Sequence, residues 1–197
     1  MLSFQMGKVK VYIWFSFFAV ICLFLAIGQN PWGLWCISAS ILHELGHLAA
    51  FLYKGYPPLE LHFEYSGIRL IPQKQIYPIR QEIFFLASGC AVNLFCFLTL
   101  WLLKLPVPAF FHLVLGVFNL FPLKGLDGGQ ILKLLLERLL GAGPGETVSA
   151  VISWIADILL VSGGLILFRQ TGNFTLLLTV FYFFFLGFST KEKNFAG

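Results

Sequence analysis

The chain has 197 residues, 58% of them hydrophobic and only 11% charged, with a mean hydropathy of +0.85 and a net charge of +4. A soluble domain carries roughly 25% charged residues, so the composition excludes that class and points to an integral membrane protein. The cations are scattered singly, with no basic tract of the kind that binds nucleic acid.

An apolar helix needs about 20 residues to cross a bilayer core. Runs near that length lie at 11–28, 33–53, 83–103, 106–123, 147–168 and 173–190. The expected fold is therefore all-α and polytopic, about six transmembrane helices in a single domain over 1–197. Lys8 and Lys10 precede the first run, as in a signal peptide. That run is long for one, has no small-x-small cleavage site and is followed at once by a second apolar run, so it reads as a retained helix. With a cytosolic N-terminus and six spans, 11 of the 13 basic residues fall inside, leaving Lys104 and Arg169 outside. The positive-inside rule then places both termini in the cytoplasm, in a bacterial inner membrane.

The second run contains "SILHELGHLA", residues 39–48. Ionisable side chains at mid-membrane cost roughly 2.5 kcal/mol or more each, so three within five residues call for a function. His43, Glu44 and His47 match H-E-x-x-H. On a helix this spacing stacks both imidazoles on one face, where they can ligate one zinc, while Glu44 stands about 100° round, within reach of a metal-bound water. His43 precedes Lys54 by 11 residues, roughly 16 Å of helical rise, which sinks the site below the cytosolic surface.

Between the second and third runs, "PLELHFEYSGIRLIP" (58–72) alternates Leu59, Leu61, Phe63 and Tyr65 with Glu60, His62 and Glu64, and Ser66-Gly67 offers a turn. This period of two predicts a short β-hairpin at the membrane edge, against the plainer reading of a loop on the headgroups. After the fourth run, Pro122 and Gly125 break the helix. From Gln130, Leu132, Leu135, Leu136 and Leu139 form one face and Lys133 pairs with Glu137 at i,i+4, as in an amphipathic helix.

A catalytic zinc takes three protein ligands and keeps one position for water. Asp127 is the leading third ligand, being the acidic residue of the irregular, glycine-flanked "FPLKGLDGG" stretch; Glu64, Glu137 and Asp157 compete. His112 reads as a packed or hydrogen-bonded histidine, His62 as a solvated one, and Asp157 as a carboxyl paired with a serine such as Ser153. Cys22, Cys36, Cys90 and Cys96 all fall in predicted spans and read as small apolar packing residues. The phenylalanine-rich last run reads as lipid contact.

"HELGH" in the second run, "SGCAVN" at 88–93 and "FNLFPLKGLDGG" after the fourth resemble the site-2 protease family of intramembrane zinc metalloproteases over roughly residues 35–135. The compact layout looks most like the sporulation-type branch. The resemblance implies a catalytic core over about 33–140 in which His43, His47 and Asp127 bind one zinc ion per chain and Glu44 is the general base. It also implies that Asn119 helps hold substrate or the developing oxyanion and that Asn93 supports the site. Leu61, Phe63 and Tyr65 would lie on the strand that adds an extended substrate segment by backbone pairing. The implied activity is hydrolysis of peptide bonds in or near the transmembrane segment of a single-pass membrane protein, with the lipid bilayer and a regulatory membrane protein as further partners. Cys90 stands where the family commonly has proline, and Lys124-Gly125 replaces a segment usually richer in proline. A catalytically inactive scaffold and a metal transporter using the same His/Asp site are the readings this one must beat; the first would lack a ligand or the base, the second would need no glutamate base.

Overall fold

The computed structural model describes residues 1–6, 9–27, 32–64, 67–72 and 77–172; the expected span at 173–190 and Tyr65 lie outside the described residues. The chain divides into two compact units, one over Met1–Phe118 and one beginning at Asn119.

In the first unit, β1 (Leu2–Met6) pairs antiparallel with β2 (Val9–Ile13), β2 runs parallel to β3 (Glu60–Glu64), and β3 pairs antiparallel with β4 (Gly67–Ile71), giving the order β1-β2-β3-β4. A parallel pair needs a long crossover. Here it consists of α1 (Phe15–Ile27) and α2 (Trp32–Tyr53).

The hairpin expected within 58–72 is therefore half of a larger sheet, and the fold is helical with a four-stranded sheet rather than all-α. The run expected to cross the membrane from residue 11 is split, its first residues pairing as β2 and leaving α1 with 13 residues. A short apolar run looks the same to periodicity whether strand or helix. Pairing decides it, with Val11 opposite Phe4 on one side and Leu61 on the other. His62 also differs from its reading as a solvated residue. Its ring lies 4.8 Å from that of Tyr12 across the parallel pair, and its Nε2 is 2.8 Å from the Glu60 carboxylate. Glu64, a rival for the metal, is taken up by Arg69 at 2.8 Å.

The C-terminus of α2 is a Schellman turn. Gly55 adopts φ +74°, its N–H bonds the Leu52 carbonyl, and the Tyr56 N–H reaches back to the Phe51 carbonyl. Glycine meets the left-handed requirement at no steric cost, and Pro57 and Pro58 prevent the helix from resuming. The turn brings Tyr56 beside Tyr77, whose ring is 5.3 Å from that of Phe85; Phe85 stacks on Phe51 at 4.1 Å and 20°. This aromatic cluster clamps the last turns of α2 to the first turns of α3 (Ile79–Leu102). The unit closes with α4 (Pro106–Asn119), which runs on to the first residue of the second.

In the second unit, α5 (Asp127–Leu140) turns at Gly141, φ +89°, into α6 (Ala142–Thr171). Lys133 lies 3.6 Å from Glu137, as its spacing implied, and 3.0 Å from Glu146, whose carboxylate holds the Lys133 ammonium above its ordinary pKa by hydrogen bonding. Both partners are well exposed, so the pair adds only a few tenths of a kcal/mol. Ser153 is buried on α6, but no hydrogen bond joins it to Asp157 among the described residues. Serines elsewhere on this helix bond the carbonyl one turn back, as Ser149 does to Glu146.

Among the described residues α2, α3 and α6 are long and apolar enough to cross a membrane, whereas α4, at 14 residues, is short for it. Phe85 is 3% exposed at the centre of the aromatic cluster, so Phe85→Ala should lower stability by roughly 3–5 kcal/mol. The unfolding midpoint in detergent micelles checks this; an unchanged midpoint would mean the cluster does not clamp the two helices.

Candidate metal centre

The buried positions of α2 are Gly33, Ala39, His43, Gly46, His47 and Ala50. From Ala39 onward they fall at i, i+4, i+7, i+8 and i+11, which is one face of a helix. On that face only the two histidines carry polar side chains. They meet α3 along its own buried stripe of Phe85, Gly89, Cys90 and Asn93.

Two glycines set how closely the helices approach. A Cβ on Gly46 would stand 2.8 Å from the Ser88 carbonyl oxygen, and one on Gly89 would stand 2.5 Å from His47 Nε2 and 2.7 Å from His43 Cε1. Small residues at such a crossing are the usual means of close packing between membrane helices. Here the volume freed by Gly89 is filled by the two imidazoles.

Their ring nitrogens face each other, His43 Nε2 lying 3.1 Å from His47 Nε2 with the rings nearly perpendicular at 86°. Behind each ring is a fixed partner. His47 Nδ1–H donates to the Phe85 carbonyl at 2.7 Å, and Ser88 Oγ–H donates to the same carbonyl at 2.6 Å. His43 Nδ1 lies 3.2 Å from the Asn93 amide, whose other end is 3.0 Å from His112 Nδ1 on α4. Asn93 is fully buried, and Gly116 on α4 leaves room for it, since a Cβ there would sit 3.1 Å from Asn93 Cβ.

Two imidazole nitrogens bound to one tetrahedral zinc at about 2.0–2.1 Å would stand about 3.3 Å apart. The observed 3.1 Å is close to that separation. The Phe85 carbonyl also fixes the tautomer of His47 that leaves Nε2 free to ligate, the usual arrangement behind a metal-binding histidine. The donor set and its backing thus fit zinc.

Glu44 follows His43 on α2, half-buried. Asn119 is the last residue of α4. Asp127 is the first residue of α5, 9% exposed, with Leu126 as N-cap; a carboxylate there is favoured by the positive end of the helix. The approach to it is a tight reversal in which the Leu126 N–H bonds the Leu123 carbonyl. Gly128 and Gly129 pass so close to the Leu120 and Leu123 carbonyls that neither tolerates a side chain, which accounts physically for the Asp-Gly-Gly sequence.

Leu61 and Phe63 lie on β3, an inner strand whose backbone pairs on both sides. Cys90, read from the sequence as packing, is buried with its Sγ within 4.8 Å of a His43 ring nitrogen. Sequence reasoning also missed Phe85 and Ser88, which act on His47 through a backbone carbonyl that no side-chain pattern reveals. Only the small residues of "SGCAVN" hinted at the close crossing.

The chain matches the solved site-2 protease of Methanocaldococcus jannaschii with a TM-score of 0.67 over 95% of this chain and 94% of that one, at 18% identity. Residues 101–163 match the model of peptidase family M50. A provisionally named zinc metalloprotease of Synechocystis sp. is 32% identical over 133 residues, 58% of this chain and 35% of that protein. The regulator of sigma-E protease of Escherichia coli is 45% identical over 57 residues, 29% of this chain and 13% of that protein. The chain thus has the fold of a solved site-2 protease and, over residues 101–163, is similar to peptidase family M50. It spans about a third or less of the length of these two relatives.

Gly89→Ala should displace both imidazoles and weaken metal uptake by at least the roughly 10- to 100-fold typical of disturbed ligand support. Metal content after equilibration at fixed free zinc checks this, and uptake equal to wild type would show that the rings do not depend on the crossing.

Proposed function

We propose that the chain is an intramembrane zinc metalloendopeptidase that hydrolyses peptide bonds of single-pass membrane proteins in or near their transmembrane segment. The observation that carries this reading is the pair of imidazole nitrogens 3.1 Å apart on a membrane-length helix, with His47 backed by the Phe85 carbonyl and Glu44 next to His43.

His43, His47 and Asp127 would hold one zinc ion per chain, and zinc there would supply Lewis acidity to polarise a carbonyl and acidify the attacking water. Glu44 takes the proton of the attacking water and delivers it to the leaving amine, one carboxylate serving as base and then acid. Asn119, at the end of α4, donates its amide hydrogens to a substrate carbonyl, and Asn93 supports His43 from behind.

A substrate transmembrane helix must unwind before its backbone can be attacked, and an extended segment can be held by strand addition. Leu61 and Phe63 lie on an inner strand, so this role is assigned here to the neighbouring β4, which like β1 pairs on one side only among the described residues. A photocrosslinker at Arg69 should capture substrate while one at Leu61 should not; the reverse would return the role to β3.

Zinc per chain and cleavage of a single-span substrate, measured on the same detergent preparations, test the assignment. Wild type should hold one zinc and cleave, Asp127→Ala should lose most of the metal, and Glu44→Gln should keep the metal but cleave at least about 100-fold more slowly. Cleavage by Glu44→Gln at the wild-type rate would sink the general-base role. Zinc flux into liposomes without cleavage would establish a transporter, and a zinc-loaded but inert wild type a scaffold.

A further inference from the structure

A buried line of side chains runs back from the proposed ligand His43 on α2, through Asn93 on α3, to His112 on α4, which the proposed reaction does not use. Asn93 and His112 are 0% and 3% exposed. The two contacts of Asn93, 3.2 Å to His43 Nδ1 and 3.0 Å to His112 Nδ1, use both ends of its amide.

The direction of each bond follows from the placed atoms. His112 Nδ1–H donates to Asn93 Oδ1, and Asn93 Nδ2–H donates to His43 Nδ1. Neutral His43 then carries its proton on Nε2 and donates it to His47 Nε2 at 3.1 Å, while His47 Nδ1–H donates to the Phe85 carbonyl. Every bond in this chain points the same way, from His112 to Phe85. It leaves a proton on the His43 nitrogen that faces His47.

A ring nitrogen that binds zinc cannot carry a proton. If His43 ligates through Nε2, its proton must stand on Nδ1, and Asn93 must then present Oδ1 to it. A half-turn of the carboxamide does this and aims Nδ2–H at His112 Nδ1, which becomes an acceptor once its own proton is on Nε2. No proton is gained or lost, because His43 and His112 each exchange one tautomer for the other.

We propose that Asn93 and His112 form a reversible latch that matches His43 to both its metal-free and its metal-bound tautomer, with His112 the positioning residue at its end. An imidazole nitrogen can donate in one state and accept in the other without moving. A lysine could only donate and an ionised carboxylate could only accept. Leaving a buried amide hydrogen without a partner costs about 1–3 kcal/mol, so a side chain able to do one of the two would bias the centre toward one state. The inference rests on the reading that His43 binds zinc, and goes beyond it in assigning a function to His112.

The test uses the full chain in detergent micelles, with zinc alone as the ligand and no substrate. Nitrogen NMR of labelled His112 should show the proton on Nδ1 in the zinc-free protein and on Nε2 after zinc loading. By chelator competition, His112→Leu should bind zinc roughly 10- to 100-fold more weakly than wild type. His112→Asn, whose amide can turn to donate or accept near the same point, should recover most of that loss. The same His112 tautomer with and without zinc overturns the proposal, as does an equal zinc affinity for wild type and the Leu variant. Should the Leu variant fail to fold, the wild-type NMR and the Asn variant still decide it. Wild type that binds no zinc would remove the metal reading itself, an outcome distinct from a zinc-binding protein whose His112 does not respond.

Discussion

The bond from His47 to the Phe85 carbonyl is the contact on which the centre depends. An imidazole on a membrane-length helix has few partners, because the lipid offers none and the helix's own carbonyls are already engaged. A buried polar group left unpaired costs about 1–3 kcal/mol, so His47 must find its partner on the neighbouring helix. It does so on a carbonyl that also accepts from Ser88. Once Nδ1 is committed there, the orientation of the ring and the free lone pair on Nε2 are fixed, and the position of His43 one turn away follows from helix geometry.

That contact exists only because α2 and α3 lie close, and two features enforce the closeness. The glycines at 46 and 89 remove the side chains that would hold the backbones apart. The aromatic cluster of Phe51, Tyr56, Tyr77 and Phe85 closes the same ends of the helices, and the Schellman turn at Gly55 swings Tyr56 into it. Phe85 thus serves twice, its ring holding the helices together and its carbonyl orienting His47. The stability of the cluster and the geometry of the centre are linked through this one residue.

In the second unit the reversal from Leu120 to Gly129 is built by two residues without side chains, and it ends by starting a helix at Asp127. This gives a carboxylate on rigid backbone at the favourable end of a helix, in place of one on a wandering loop. The proposed reaction would need such fixity, since effects of this kind depend on groups placed before the substrate arrives.

The candidate residues stand out in the sequence because their pattern is local. H-E-x-x-H places two imidazoles and a carboxylate by helix spacing alone, and the expense of such residues among apolar neighbours makes them conspicuous. Asp127 is conspicuous in the same way, as a single acid between glycines. The i,i+4 pair of Lys133 and Glu137 was likewise fixed by helical repeat. What the sequence left open are pairings between distant segments. Residues 9–13 read as the start of a membrane helix, yet become a strand because β1 and β3 supply partners some 7 and 50 positions away along the ladder. The same pairing makes β3 an inner strand and leaves β1 and β4 at the edges. His62, Cys90 and His112 could be placed near nothing in particular until the helices and strands were packed. The sequence by itself determined which side chains can do chemistry and on what helical face. The tertiary structure alone decided which backbone carbonyl, amide and second imidazole stand behind them, because hydrogen bonds across a helix crossing depend on separations that no periodicity encodes.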